Sequence, residues 1–155
     1  MSSKPLSPSE TSETAKGEAK GEIKGTITNL ITKIEYPFNA TWIYRDEQQE
    51  TLRFHGTMPD PENDHKKVAV ALQLSEKNAP TGTYPFDSRE VLHLTYLKYD
   101  VDGEGHSVYY EAISGHVDLV NAYPDSPISG KLVFKTTVID DISYRVDVKY
   151  SITEF

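Results

Sequence analysis

From Tyr144 to Ile152 the chain alternates without interruption, with Tyr144, Val146, Val148, Tyr150 and Ile152 separated by Arg145, Asp147, Lys149 and Ser151. A period of two places all five apolar side chains on one face of an extended strand and the polar ones on the other. A strand with one wet face belongs to an antiparallel sheet, because parallel sheets are covered on both sides. Just before it, Ile128, Gly130, Leu132 and Phe134 alternate with Ser129, Lys131, Val133 and Lys135. The end of the chain therefore reads as two paired β-strands.

The same period recurs upstream. Ile23, Gly25 and Ile27 open one strand, and Phe38, Ala40, Trp42 and Tyr44 are expected to share the inner face of the next. Leu52 and Phe54 return after a turn at residues 46–49, and Val68, Val70, Leu72 and Leu74 form another strand with small Ala69 and Ala71 behind it. A short strand follows in residues 79–86, then Leu92, Leu94 and Tyr96, then Val108, Tyr110 and Ala112, with Val117 and Leu119 as a separate strand after Ser114-Gly115. No apolar pattern holds helical spacing for three turns. The chain reads as all-β, an antiparallel β-sandwich of about ten short strands, with a flattened up-and-down barrel of calycin type as the alternative.

Residues 1–21 are Ser, Thr, Glu, Lys, Pro and Gly with almost nothing apolar, and such a segment is expected to stay disordered. Residues 22–155 are expected to form a single all-β domain, of a size that buries a core without staples. Cysteine is absent, which excludes disulfides, thiolate metal sites and cysteine nucleophiles. The net charge of −8 argues against nucleic acid and anionic membrane surfaces, whose recognition rests on clustered Lys and Arg. No apolar run has the length of a membrane span. The first residues lack the pattern of a signal peptide, so the chain as written reads as cytoplasmic, or as exported if a leader has been removed.

Chemistry-bearing motifs are few. Asp100, Asp102 and Glu104, with Gly103 and Gly105, offer carboxylates on a turning backbone and make a calcium candidate. Strands rather than helices flank it, and Asp102-Gly103 equally suits a plain hairpin turn, which is the favoured reading. The loop Asp60-Pro61-Glu62-Asn63-Asp64-His65 is a second acidic cluster, with solvated turn chemistry as its simpler explanation. Five histidines lack metal-ligand spacing, although His93 and His116 would meet if their strands paired. There is no nucleophile elbow and no phosphate loop, so catalytic residues are not assigned. Ten tyrosines are the richer signal. Tyr99 and Tyr109 flank the Asp-Gly turn and are expected on an outer face, where rings beside carboxylates suit a sugar or a protein.

Gly82-Thr83-Tyr84, Tyr109-Tyr110-Glu111-Ala112, Ser114-Gly115-His116-Val117 and Ile128-Ser129-Gly130-Lys131-Leu132-Val133-Phe134 together resemble a pattern found in uncharacterised bacterial all-β domains, many of them exported lipoproteins. The resemblance covers about the C-terminal half, implies an all-β fold and carries no catalytic residues. The sequence as written shows neither the lipid-attachment cysteine nor the leader of that group, so export and lipid anchoring are not expected from it. The expectation is thus a non-catalytic binding module for a protein or carbohydrate partner, through Tyr99, Tyr109, Asp100, Asp102 and Glu104. The alternatives are a carrier of a small hydrophobic ligand and, less so, a hydrolase with a site assembled from distant strands. No cofactor is expected beyond the calcium candidate.

Overall fold

Period-two patterning leaves each strand one apolar face, and the chain buries those faces against one another by curling a sheet. The computed structural model describes residues 19–46, 50–101, 107–121 and 127–153. Its strands are β1 (Gly21–Asn29), β2 (Glu35–Asn39), β3 (Trp42–Asp46), β4 (Leu52–Pro59), β5 (Lys66–Leu74), β6 (Gly82–Pro85), β7 (Val91–Asp100), β8 (Val108–Asn121), β9 (Ile128–Thr136) and β10 (Tyr144–Ile152). All pairings are antiparallel, in the order β2-β1-β10-β9-β8-β7-β5-β4-β3, with β6 added to β8. The all-β reading holds, and the arrangement is a curled sheet of the barrel-like kind.

The curl has a local cause. β2 and β3 lie at opposite ends of the sheet order, yet only Ala40 and Thr41 separate them in the chain. The Ala40 amide donates to the Ile23 carbonyl of β1 at 2.9 Å, and the Thr41 amide donates to the Thr57 carbonyl of β4 at 2.7 Å. One continuous segment thus pairs first with one flank and then with the other, which draws both together. The Arg45 guanidinium fastens the seam by donating to the Ile152 carbonyl at 2.8 Å. Ring contacts cross the interior as well, with Phe54 of β4 and Tyr150 of β10 centred 4.9 Å apart.

This crossing overturns one expected register. Phe38 and Ile43 enter the core, so Trp42 and Tyr44 turn to the other face, where they stack at 6.0 Å between ring centres. The alternation slips at Ala40–Thr41 because the segment changes partner there. A second correction concerns β8, a 14-residue strand rather than two. It bends at a bulge between Ala112 and Ser114, and Gly115 takes φ +115° beside it. Near the start of the described residues, Ala19 is buried, and its amide donates to the Ile43 carbonyl at 2.8 Å. The rest of the N-terminal segment, residues 1–18, lies outside the described residues.

The closing strand keeps its expected faces. Tyr144, Val146, Val148, Tyr150 and Ile152 are buried, while Lys149 is exposed and Arg145 and Ser151 are partly so. On β9, Gly130 sits at φ +151°, and a Cβ there would lie 1.8 Å from the Asp118 carbonyl oxygen of β8. Because that obstacle is backbone, it cannot step aside as a side chain would. Gly130→Ala is expected to cost about 2 kcal/mol or more, from strain at a glycine-only backbone setting plus displacement of the ladder. Equilibrium urea unfolding of the variant beside the parent protein checks it.

Candidate functional site

Antiparallel register decides which loops share an end. Asn29 pairs with Tyr144, Lys66 pairs with Asp100, and Ala112 pairs with Thr136. Residues 30–34, 60–65 and 137–143, together with Val101, therefore gather at one end of the curled sheet. Side chains on the inner faces beneath them form a polar constellation in the interior.

Glu62 is its centre. The β4–β5 loop is shaped by its own side chains, with the Asp60 carboxylate accepting from the Glu62 amide at 2.8 Å and Asn63 Oδ1 accepting from the His65 amide at 3.0 Å. That path turns Glu62 inward while Pro61, Asn63, Asp64 and His65 remain exposed. One Glu62 oxygen accepts from Lys98 Nζ at 2.6 Å and from the Tyr144 hydroxyl at 2.7 Å; the other accepts from Asn29 Nδ2 at 2.8 Å. Lys98 also pairs with Asp60 at 3.2 Å and lies 5.0 Å from the centre of the Tyr144 ring. Three strands, β7, β10 and β1, converge on this loop carboxylate. Behind it, Tyr144 packs against Tyr96 at 4.8 Å and meets Tyr110 edge-on at 5.1 Å.

The ring cluster sets the electrostatics. Burial, then the hydrogen bond to the Glu62 carboxylate, holds the Tyr144 phenol far above its ordinary range. Burial also raises Tyr96 and Tyr110. Tyr36, beside Glu62 on β2, is raised by desolvation and then by the Glu62 charge. These phenols are therefore neutral hydrogen-bond donors at any ordinary pH. For Glu62, burial works upward, but the hydrogen bonds from Lys98, Asn29 and Tyr144 outweigh it, and its carboxyl titrates below its usual 4.5. A carboxyl depressed on folding adds stability that is present above the unfolded value and lost as pH falls through the folded one. Stability is thus expected to decline as pH falls below about 4.5, and Glu62→Gln to flatten that part of the curve. Urea midpoints measured between about pH 6 and pH 3 test this.

The residues singled out from sequence are placed differently. Asp100 pairs with Lys66 at 2.7 Å at the rim of the loop end, while Asp102 and Glu104 lie outside the described residues. Among the described residues no three His, Cys, Asp or Glu side chains are grouped to hold a metal ion. His93 lies opposite Gln73, and His116 lies between Pro85 and Val133, so the two do not face each other across a ladder. Tyr99 and Tyr109 both pack against the small cluster of Ala69, Ala71 and Leu97 on the outer face. They are half-buried on that floor. No helix among the described residues is long and apolar enough to cross a membrane.

The constellation at Glu62 was missed by sequence reading, although one signal existed. Lys98 continues the inward series Leu94, Tyr96 and so occupies an apolar position with a charge, which demands a buried partner. No family model, curated protein or solved structure matches the chain.

Proposed function

We propose that this chain is a non-catalytic binding module that meets a protein partner with the loop end of its curled sheet. The observation that carries the reading is the placement of exposed aliphatic side chains. Ile31, Ile34, Val101 and Val138 are each about half or more exposed and all crown this end, whereas Ile113 and Val120 lie along β8. Single exposed apolar residues are ordinary, but a group on neighbouring loop tips is what interaction surfaces present. Beside Val101, an open depression of about 370 Å³ is lined by Asp64, His65 and Asp100. Aliphatic tips around an acidic hollow suit an apolar, basic protein surface.

A carbohydrate partner would favour rings lying open to solvent, and Tyr99 and Tyr109 instead rest against the outer floor. A hydrophobic-ligand carrier needs an enclosed cavity of a few hundred Å³. Packed rings, namely Tyr96, Tyr110 and Tyr144 with Phe54 and Tyr150, occupy the interior between the flanks. The test is affinity capture from an extract of the source organism with the parent protein, with Ile31→Ser/Val138→Ser, and with Val120→Ser. The reading expects a stoichiometric protein that the double variant loses and Val120→Ser retains. Capture unaffected by the double variant, or a bound glycan in its place, overturns it.

A further inference from the structure

The donors around Glu62 form a complete receptor for a carboxylate. An ammonium and a phenol share one oxygen, and a carboxamide takes the other, at 2.6, 2.7 and 2.8 Å. All three donors come from strands, namely β7, β10 and β1, and are held there by the ladders. Their occupant, by contrast, comes from a loop. Within residues 60–65, Pro61, Asn63, Asp64 and His65 are exposed, and beyond its Asp60 root only Glu62 reaches inward. Glu62 thus anchors the loop tip, through contacts that another carboxylate of similar size would reproduce.

Two further features fit exchange at this place. The Glu62 and Lys98 side chains retain 18% and 13% of their exposure, so the cage communicates with solvent. Asp60, whose side chain is fully buried, holds Lys98 from the other side at 3.2 Å. The ammonium therefore stays in position when Glu62 leaves, and an incoming carboxylate restores the charge balance it found. Buried ion pairs add little net stability, because desolvation opposes the attraction, so exchanging one partner for an equivalent one is energetically close to even. Tyr96 and Tyr110 support the Tyr144 ring and give the cage an aromatic back wall.

We propose that Lys98, Tyr144 and Asn29 form a binding site for an organic carboxylate, which Glu62 fills from within the chain until an external acid displaces it. The class is a short organic acid, either a free metabolite or the terminal carboxylate of a peptide. This site lies beneath the loop tips and does not depend on the identity of a protein partner.

The experiment uses the full chain, with binding followed by amide NMR titration. Propionate carries the atoms of the Glu62 side chain, and propionamide is its neutral counterpart. Glu62→Ala is expected to bind propionate between about tenfold and a hundredfold more tightly than the parent protein, because the internal competitor is gone. It should ignore propionamide, and Lys98→Met added to it should abolish binding. In the parent protein, propionate should shift the Asn29 and Tyr144 amides saturably and speed hydrogen exchange in residues 60–65. An acetylated dipeptide with a free C-terminus, set against its amidated form, distinguishes a peptide source from a free acid. Should Glu62→Ala not fold, Glu62→Ser, whose short side chain also vacates the cage, serves the same comparison. A variant that fails to prefer propionate over propionamide overturns the proposal. So does a parent protein that gives no response at a hundred times the variant's dissociation constant, since Glu62 is then a fixed pin.

Discussion

Val148→Asp is expected to abolish folding, and Lys149→Asp, one position along, to leave the protein as stable as before or slightly more so. Val148 is fully buried on β10, between Gly25 of β1 and Leu132 of β9. A carboxylate there has no cation and no donor beside it in the apolar core, and the cost of several kcal/mol approaches the whole of the roughly 5–15 kcal/mol that holds such a domain together. Lys149 is exposed on the opposite face and lies between Lys24 and Lys131 in the paired register. Three ammonium groups abreast repel, and a carboxylate in the middle position replaces two repulsions with two attractions, worth a few tenths of a kcal/mol each. Soluble expression and urea midpoints of the two variants decide it. A folded Val148→Asp protein contradicts the core assignment of β10.

Lys98→Ala is the second large effect. It leaves Asp60 and Glu62 as neighbouring carboxylates with no ammonium between them, and the Asp60 side chain is fully buried. Removing one partner of a buried ion pair typically costs about 3–5 kcal/mol, because the remaining charge is left uncompensated. Acid should recover part of this, since protonating Glu62 removes the repulsion. The variant's deficit relative to the parent is therefore expected to shrink as pH falls toward about 4, by linkage of folding to proton binding. Combining Lys98→Met with Asp60→Asn and Glu62→Gln should restore most of the loss, as neutral replacements of buried ion clusters often do. Denaturant unfolding at neutral and acid pH measures all three expectations. A Lys98→Ala protein as stable as the parent at neutral pH would mean that water, not Lys98, compensates the pair.

Strand identity and inward face were legible wherever one strand keeps one environment along its length. β5, β9 and β10 are such cases. Their apolar positions at Val68–Leu74, Ile128–Phe134 and Tyr144–Ile152 face the core as alternation requires, because a slip of one residue would invert every side chain. Legibility failed where a strand changes partner. Trp42 and Tyr44 carry the apolar signature of inner positions, yet face outward because the chain crosses from β1 to β4 at Ala40 and Thr41. β8 was divided at Ser114 because a glycine and a bulge imitate a turn when only sequence is in view.

The candidate site was legible only in fragments. The acidic loop at residues 60–65 and the tyrosine excess both stood out, but the loop read as solvated, and Tyr96, Tyr110 and Tyr144 read only as apolar positions of separate strands. Nothing local announces that Glu62, Lys98, Tyr144 and Asn29 meet, for Glu62 and Tyr144 alone lie 82 residues apart along the chain. What the sequence by itself determined is the all-β class and the inner face of most strands, both consequences of a two-residue period that each strand obeys independently. Only the tertiary structure decided the curl, the seam and the convergence on Glu62. Those depend on which strands become neighbours, and pairing between distant strands is selected by the packing of the whole core rather than by any one segment.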